Sequence, residues 1–377
     1  MKSATSPSST TNYLGAFKKR IADRFETIGL PSDSNELWRY TKPEQFQWEL
    51  LKQEQEIPVT LTGGEGNISI SKDIPESLLE CLDTGDLKND GVSLFQASHI
   101  QGTAYIHVGK GVSIKDPVTL TQKWNGSGAS LIVVHLEEGA SVTIIEQLMH
   151  EQAGFIAPRI EFFVGPHASV NFASLQLLGG NVSYLGKHRA FLARDARAYL
   201  LSASLGGNVS RTEYDVVLNE KNAEAYIRGL YIADGSRHID FHTNQIHHAP
   251  HGRSDLLCKG IVRDEARAVY YGFIRVSEDA QKTDAYQKSR NLLLSPDARA
   301  DAIPNLEIKA NDVKCSHGAS VGQVNPLEKF YLMTRGLTEK QAELMLVEGF
   351  LREVLDHFPV PAIVEEWGSL LGTRLLK

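Results

Sequence analysis

Residue count, composition and charge exclude several classes of protein. The chain has 377 residues, of which 42% are hydrophobic and 23% charged, and its formal net charge is −7. These values fit a globular chain of two or three domains or one long repeat array, and they exclude a collagen, a coiled-coil rod and a wholly disordered protein. No apolar run approaches the roughly 18 residues that span a bilayer. The acidic balance argues against a nucleic-acid-binding surface, so neither a membrane nor a nucleic acid is an expected partner.

Cysteine usage and the first residues bear on the compartment. Cys81, Cys258 and Cys315 are far apart and odd in number, so they form neither a disulfide framework nor a CxxC pair. Without a signal-peptide core, this usage predicts a reducing, intracellular compartment. Residues 1–12 are rich in Ser and Thr and lack Arg. We interpret them as a disordered tail rather than the remnant of a transit peptide.

A helical segment is predicted first, over residues 1–90. Its apolar residues recur at spacings of three and four, as expected for an amphipathic helix, at Leu14, Phe17, Ile21, Phe25 and Ile28. Residues 35–52 mix aromatic and charged side chains and predict a short helix with loops that pack on a larger core. Between residues 57 and 90, short strands are predicted at Ile57–Leu61 and Ile68–Ile70.

A repeat dominates the segment 91–325. Short alternating strands meet at small-residue corners whose central residues are Val112, Ala140, Ala168, Ala196 and Ala223, spaced by 28, 28, 28 and 27 residues. Later corners are predicted at Ala266, Ala298 and Gly318-Ala319-Ser320. A fixed period of this size indicates a solenoid, a propeller or an array. Two or three short strands per repeat fit a rung of a parallel β-helix, whereas a propeller blade needs four strands and about 40 residues.

The predicted architecture is therefore mainly β. It is a right-handed parallel β-helix of about eight rungs, flanked by N-terminal and C-terminal α-helical segments. Because a stack of rungs has open ends, the two flanking segments are expected to cap it.

The C-terminal segment, 326–377, predicts two helices. Leu327–Thr334 forms the first, and a Thr338/Gln341 capping box begins the second. The second helix has two adjacent apolar strips, one made of Met345, Leu346, Gly349, Phe350 and Val354 and the other of Leu344, Val347 and Leu351. A helix apolar over so wide an arc packs on two surfaces. Those surfaces are either the end of the β-helix and a neighbouring helix, or they include a surface that binds another protein.

Two groups of residues could bind a metal. Cys315 and His317 lie at positions i and i+2 of a predicted strand, so thiol and imidazole share one face, and both are ligands for iron or zinc. The alternative is a buried Cys beside a corner His. Residues 237–251 hold five of the thirteen histidines. There His238, Asp240 and His242 share one strand face, while His247, His248 and His251 are predicted in a loop; these histidines form either a metal cage or an outward polar face with Ile239 and Phe241 inward.

Several catalytic motifs are missing from the sequence. It has no GxxxxGK[ST], so the chain is not expected to bind ATP through a P-loop, and it has neither GxGxxG nor GxSxG. Asp264-Glu265 and Glu278-Asp279 are acidic pairs at predicted turns, where solvated corners are more common than a glycosidase dyad. The alternatives left open are a secreted-type carbohydrate-active β-helix enzyme and a β-helix adaptor with no metal role.

Three stretches carry a resemblance to a known family. The run AQKTDAYQKSRNLLLSPDARADAIPNLEIKANDVKCSHGASVGQ (Ala280–Gln323), the run FYLMTRGL (Phe330–Leu337) and the element GLPSDSNELWRYT (Gly29–Thr41) resemble the SufB/SufD family of the SUF iron–sulfur cluster assembly machinery. The chain lacks the CxxCxxxC motif usual in SufB-like members, so it is more similar to the SufD branch. Members often carry a Cys after the Ala-Pro that corresponds to Ala249-Pro250, whereas His251-Gly252 follows here.

The resemblance implies a scaffold and not an enzyme. Expected partners are a SufB-like paralogue in a heterodimer, a second copy of the chain in a homodimer when it is alone, and a SufC-type ATPase bound through the C-terminal helices. The family's site near the paralogue interface falls on Cys315 and His317, which implies that they hold transient iron or a nascent iron–sulfur cluster. The same resemblance implies a cytoplasmic location, or the plastid stroma in a photosynthetic eukaryote.

Overall fold

Two nine-stranded β-sheets form the centre of the molecule. The computed structural model describes residues 10–32, 34–53, 55–64, 66–83 and 90–376; the predicted tail therefore lies outside the described residues up to residue 9, and residues 10–12 are helical. The eighteen strands are β1 (Val59–Thr62), β2 (Ile68–Ser71), β3 (Ile100–Val108), β4 (Val118–Gln122), β5 (Gly128–Leu136), β6 (Ser141–His150), β7 (Gly154–Val164), β8 (Ser169–Leu178), β9 (Val182–Leu192), β10 (Arg197–Ser204), β11 (Val209–Leu218), β12 (Glu224–Ala233), β13 (His238–His247), β14 (Arg253–Val262), β15 (Arg267–Val276), β16 (Asp284–Leu293), β17 (Arg299–Ile308) and β18 (Lys314–Gln323).

The strands alternate between the two sheets, as a solenoid requires. Sheet A has the order β1-β4-β6-β8-β10-β12-β14-β16-β18, and sheet B has the order β17-β15-β13-β11-β9-β7-β5-β3-β2. Pairing is parallel from β3 to β18, and it joins residues about one repeat apart, as in Ser141 with Ser169 and Ser169 with Arg197. The result is a β-solenoid of about 8 turns, which confirms the predicted fold class.

Left-handed backbone conformations make the corners before sheet A. His167, Asp195 and Asn222 have φ values of 59°, 56° and 61°, and His, Asp and Asn are the non-glycine residues that tolerate this region best. The alanine that follows each of them is buried in the core. The repeat is therefore set by a residue able to adopt positive φ, followed by a small residue that fits inside the turn.

Of the three later corners that were predicted, two are corners in the structure and one is not. The row of sheet A corners continues at His251 and Lys282, with φ of 61° and 63°. Ala266 and Ala298 instead belong to the corners that precede strands of sheet B. Gly318-Ala319-Ser320 lies inside β18, so a corner there was wrong. Small residues suit an exposed strand as well as a turn, and Gly318 does not take the positive φ that marks the true corners.

Apolar side chains fill the space between the two sheets. One inward column runs in register along sheet A through Val118, Ile144, Phe172, Leu200, Ile227 and Leu256. All six side chains are buried in the main hydrophobic cluster. This stacking of like positions gives each rung a hydrophobic contact with the rungs above and below it.

The N-terminal segment covers sheet B and closes one end of the solenoid. It contains α1 (Thr10–Ile28), 3-10 turns at Glu36–Trp38, Pro43–Gln45 and Trp48–Lys52, α2 (Glu76–Asp83) and α3 (Gly91–Ser98). Its aromatic side chains pack on outward residues of β5, β7 and β9. Strands β1 and β2 pair antiparallel with β4 and β3, which confirms the expected cap at this end.

The sequence pattern did not predict helices α2 and α3. It predicted only strands between residues 57 and 90, and a repeat of strands from about Ser93 onward. Asp90 caps α3 by accepting a hydrogen bond from the Val92 N–H at 3.1 Å. All residues from Gly91 to Ala97 are buried. Helix α3 therefore has no polar face, and its sequence lacks the helical hydrophobic period by which an amphipathic helix is recognised.

The C-terminal segment forms three helices, α4 (Pro326–Thr334), α5 (Glu339–Leu355) and α6 (Pro361–Leu376). Helices α5 and α6 lie on a face of the solenoid rather than over its end, while α4 contacts α5 and has no buried residue. The buried residues of α5 and α6 pack on outward apolar side chains of sheet A, among them Ile145, Leu175, Leu201 and Leu230. The expectation that this segment caps the solenoid was wrong, because that apolar stripe on sheet A must be covered first. No helix of the described ranges is long and apolar enough to cross a membrane.

Candidate functional site

The C-terminal end of the solenoid is open. Within the described residues, no strand pairs with the outer edge of β17 or β18. Every residue of β18 except Cys315 is exposed, and every residue of β17 is half-buried or exposed. Both sheets therefore present unpaired backbone N–H and C=O groups at this end, a template for pairing with another chain.

The structure places the predicted pair, Cys315 and His317, on this open edge. Cys315 pairs in register with Ala285, and His317 with Gln287. Since alternate residues of a strand share a face, both side chains are on the inward face of β18. The predicted sharing of one face is thus observed. The alternative of a buried Cys beside a corner His was wrong, because both residues lie within a strand.

The two side chains differ in environment. Cys315 is half-buried against the last hydrophobic cluster of the solenoid, which includes Ile274, Val276 and Ala310, whereas His317 is exposed. Burial raises the pKa of the Cys315 thiol. The thiol is therefore protonated at neutral pH, and it would have to release that proton to bind a metal.

Polar groups lie directly beneath His317. The inward column that is apolar from Val118 to Leu256 continues with Gln287 and ends with His317. Gln287 is 2% exposed, and among the residues that the structure describes neither atom of its side-chain amide has a hydrogen-bond partner. Ser289 lies two residues further along the same strand, and its Oγ also has no hydrogen-bond partner among the described residues. Since buried polar groups are normally paired, the last rungs carry hydrogen-bonding capacity that the folded chain itself leaves unused.

The described residues do not complete a metal site by themselves. No group of three or more His, Cys, Asp and Glu side chains in the described ranges is arranged to hold a metal ion. Cys315 and His317 supply two donors of the kinds that iron and zinc accept, and a four-coordinate site needs two more. The described residues around Cys315 and His317 do not supply those two donors.

The histidine-rich stretch has a structural role on sheet B. His238, Asp240 and His242 share the outward face of β13, while Ile239 and Phe241 face the core, as predicted. The outward face is nevertheless buried, because the N-terminal segment covers it. Thr41 Oγ1 lies 2.7 Å from His238 Nε2.

A buried ion-pair network connects this stretch to the N-terminal segment. Arg211 donates to Asp240 at 3.0 Å, and its guanidinium carbon lies 4.0 Å from the centre of the Trp38 ring. His242 Nε2 lies 2.9 Å from the other Asp240 oxygen. Burial would raise the pKa of Asp240, but the charges of His242 and Arg211 lower it well below its usual range. Protein groups therefore surround His238 and His242 on this face.

Of the three histidines predicted in a loop, one was misplaced, and His248 lies after the end of β13 as predicted. His247 ends β13 and is buried, with Nε2 2.8 Å from Ser254 Oγ, so it is not in a loop. His251 forms a corner with positive φ, as expected for a turn.

An apolar surface on the C-terminal helices was only partly foreseen. Leu327, Phe330 and Tyr331 of α4 are 76%, 64% and 56% exposed. In α5 the strip with Val347 and Leu351 is buried against sheet A and α6, whereas Met345 of the other strip is 50% exposed. We call the exposed residues Leu327, Phe330 and Tyr331 the α4 surface. The wide apolar arc of α5 gave the sequence signal, but α4 carries most of the exposed area.

A comparison with known protein families shows which family the chain belongs to. The sequence model of the SufBD core domain of SUF system FeS cluster assembly matches residues 120–350, which is more than half of the chain. The chain belongs to the SufBD family. The match covers most of the solenoid, including the edge strand with Cys315 and His317, and it extends through most of α5.

Curated SufBD proteins are similar over most of their length. A SufBD family protein of Mycobacterium leprae is 29% identical over 297 residues, covering 75% of this chain and 75% of that protein. SufD of Escherichia coli is 31% identical over 284 residues, covering 73% and 67%. SufD of Bacillus subtilis is 26% identical over 291 residues, covering 75% and 67%. The predicted resemblance is confirmed: this is a SufD-like SufBD protein of the SUF iron–sulfur cluster assembly system, and the carbohydrate-active alternative has no support.

Proposed function

We propose that this chain is a non-catalytic scaffold subunit that joins a SufB-like paralogue through the open end of its solenoid. The observation that carries the proposal is the pair of unpaired edge strands, β17 and β18, at one end of a fold whose other end is closed. Natural proteins cover, charge or shorten such edges. Alone, two copies of the chain would pair through the same edges as a homodimer. The complex would work in the cytoplasm, or in the stroma of a plastid.

Iron and sulfide are the cargo of this proposed junction. His317 and Cys315 would hold iron or a nascent cluster, supported by their common face and by donor types that iron accepts. His317 is the more accessible ligand, because it is exposed while Cys315 is half-buried. The remaining donors would come from the paralogue, and the unpaired polar groups below His317 would order the junction.

A SufC-type ATPase would dock on the α4 surface. Supporting this, Leu327, Phe330 and Tyr331 form an exposed apolar patch on a helix that contributes no buried residue of its own. The adjoining α5 is fastened to the solenoid, since Lys259 of β14 contacts Glu353 and donates to the Phe350 carbonyl at 2.7 Å. Closure of the ATPase on ATP, which this chain itself would not bind, would thereby pull on sheet A and rearrange the open end.

Anaerobic cluster loading tests the ligand assignment. The chain would be co-expressed with the SufB-type and SufC-type proteins of the same source, as wild type, His317→Ala and Cys315→Ser. His167→Asn is the matched control, because His167 is an exposed corner histidine whose positive φ Asn also tolerates. We expect His317→Ala to assemble but to retain only a small fraction of the iron and acid-labile sulfide, and the control to load normally. Normal loading of an assembled His317→Ala complex would refute the ligand role of His317, and normal loading of the Cys315→Ser complex as well would leave an adaptor with no metal role.

Two substitutions, each of which introduces a glutamate, test the α4 surface and the open end of the solenoid separately. Phe330→Glu on the α4 surface should release the ATPase and leave the paralogue bound. Val321→Glu on β18, where Val321 is 42% exposed, should do the reverse. Size-exclusion chromatography with mass measurement reads both. Loss of both partners, or of neither, from each variant would contradict the separate assignment of the two surfaces.

A further inference from the structure

Three arginines converge on one carboxylate where α6 meets the solenoid. Asp234 follows β12, Arg237 precedes β13, Arg263 follows β14, and Arg374 lies in the last turn of α6. Arg263 Nη2 and Arg374 Nη2 lie 3.2 and 3.4 Å from Asp234 Oδ2, and Arg237 contacts the other oxygen. None of these residues belongs to the open end or to the α4 surface.

The charges of this cluster do not balance. Three guanidinium groups surround one carboxylate, so the local charge is 3 − 1 = +2, in a chain whose net charge is −7. The next carboxylate, Asp264, is 4.0 Å from Arg263 Nε. It is mostly exposed and already accepts the Gly235 N–H at 2.8 Å. Glu151, whose charge raises the pKa of Arg374, is a further carboxylate nearby. Asp264 and Glu151 are both exposed, so solvent screens them, and the buried part of the cluster keeps its excess of guanidinium groups over carboxylates.

The hydrogen-bond donors are also in excess. Three guanidiniums carry roughly fifteen N–H donors, at five each. Among the described residues, the acceptors around them are the Asp234 carboxylate, the Asp234 carbonyl and the Leu375 carbonyl. The Nε atoms of all three arginines are buried without a hydrogen-bond partner in the described part of the chain. Burial, followed by the neighbouring guanidiniums, lowers the pKa of both Arg237 and Arg374.

We propose that this cluster binds a small tetrahedral oxyanion, phosphate or sulfate. Arginine remains protonated in proteins, so an anion is the direct way to relieve the repulsion. The planar forks of several guanidiniums match the oxygens of a tetrahedral anion and bind them bidentately. The arginine side chains are 20–27% exposed, so an anion can reach them from solvent, while Asp234 at the centre is 10% exposed. The bound anion ties α6 to two neighbouring corners of the solenoid.

Calorimetric titration with inorganic phosphate tests the site, with sodium chloride keeping the ionic strength constant. The full chain would be compared with Arg374→Gln, Asp234→Asn and the control Arg352→Gln, an exposed α5 arginine paired with Asp356 at 3.0 Å. Because Arg374→Gln removes charged hydrogen bonds to the anion, we expect it to weaken binding about tenfold or more. The control should stay within about twofold of the wild type.

Asp234→Asn gives a prediction of opposite sign. Removing the competing carboxylate should tighten phosphate binding several-fold, whereas a merely structural cluster would lose stability and gain no affinity. Hydrogen exchange at the end of α6 should slow when phosphate binds the wild type. Absence of saturable phosphate binding up to millimolar concentrations, or equal binding by wild type and Arg374→Gln, would overturn the proposal. Acetate binding as tightly as phosphate and sulfate would overturn the tetrahedral assignment.

Discussion

The two ends of the solenoid are finished in opposite ways. At the first end, β1 and β2 add antiparallel strands and the N-terminal segment covers the adjoining face. At the other, β17 and β18 expose their edges within the described chain, and the inward column changes from Leu256 to Gln287 and His317. A chain optimised only for its own stability would close both ends. The contrast supports the proposal that the paralogue pairs with the open end.

The largest expected effect comes from the apolar part of the column. Phe172→Ala should destabilise the chain by about 4–5 kcal/mol, because Phe172 is fully buried and its ring centre lies 5.0 Å from that of Phe162. Urea denaturation measures the loss. A cost below about 2 kcal/mol would mean that the middle rungs are packed no better than the open end.

The contact between the N-terminal segment and the face of sheet B can be broken next. Arg211→Met should cost about 3–4 kcal/mol, because it leaves Asp240 buried without its arginine. Hydrogen exchange should accelerate at residues 36–41, which contact this network. The control Arg253→Met removes an exposed arginine 3.8 Å from Asp284 and should change stability by less than about 0.5 kcal/mol.

Acid should weaken the same network. Burial would raise the pKa of Glu213, but Lys187 and Arg211 lower it to about 2, against an ordinary 4.5. A lowered folded-state pKa gives stability that is present above pH 4.5 and is lost as the pH falls toward 2. We expect a loss on the order of 3 kcal/mol from this residue. Denaturant midpoints between pH 5 and pH 2.5 should show that slope in the wild type and a flatter one in Glu213→Gln.

At the open end a substitution should stabilise the chain. Gln287→Leu extends the apolar column and removes a buried amide without a described partner, so a gain of about 1 kcal/mol is expected. The same variant should load less iron in the complex if the unpaired polar groups below His317 order the proposed junction. A destabilised Gln287→Leu would show that this amide is already satisfied in the isolated chain.

The smallest effect on stability belongs to His317→Ala. An exposed edge residue should change the unfolding free energy by less than about 0.5 kcal/mol. Denaturation of the isolated chain, beside the cluster loading described above, separates a ligand from a structural residue. A loss above about 1.5 kcal/mol would assign His317 to the fold.

Much of this architecture was predictable from local pattern. The 28-residue spacing gave the solenoid, alternation gave the inward Ile239 and Phe241, and Thr338 with Gln341 gave the capping box of α5. These features follow from spacing along the chain alone. Placing Cys315 and His317 on one face required only a two-residue period.

What the sequence missed depends on long-range packing. Helix α3 is buried on all sides, so it has no amphipathic period to detect. The polar face of β13 looked solvated because the segment that covers it lies about 200 residues earlier in the chain. The outward apolar residues of sheet A, on which the C-terminal helices pack, come from several strands. They form one stripe only when those strands are in register, so the sequence does not show it.

The corner residues of sheet A have a mechanical consequence. Each donates its backbone N–H to a carbonyl of the following rung, as His167 does to Arg194 at 2.9 Å and His251 to Gln281 at 2.9 Å. A rung is therefore held by the one that follows it, and the final rung has a neighbour on one side only. Unfolding should start at β18 and proceed rung by rung into the solenoid. The candidate ligands Cys315 and His317 therefore lie in the part of the solenoid with the lowest local stability.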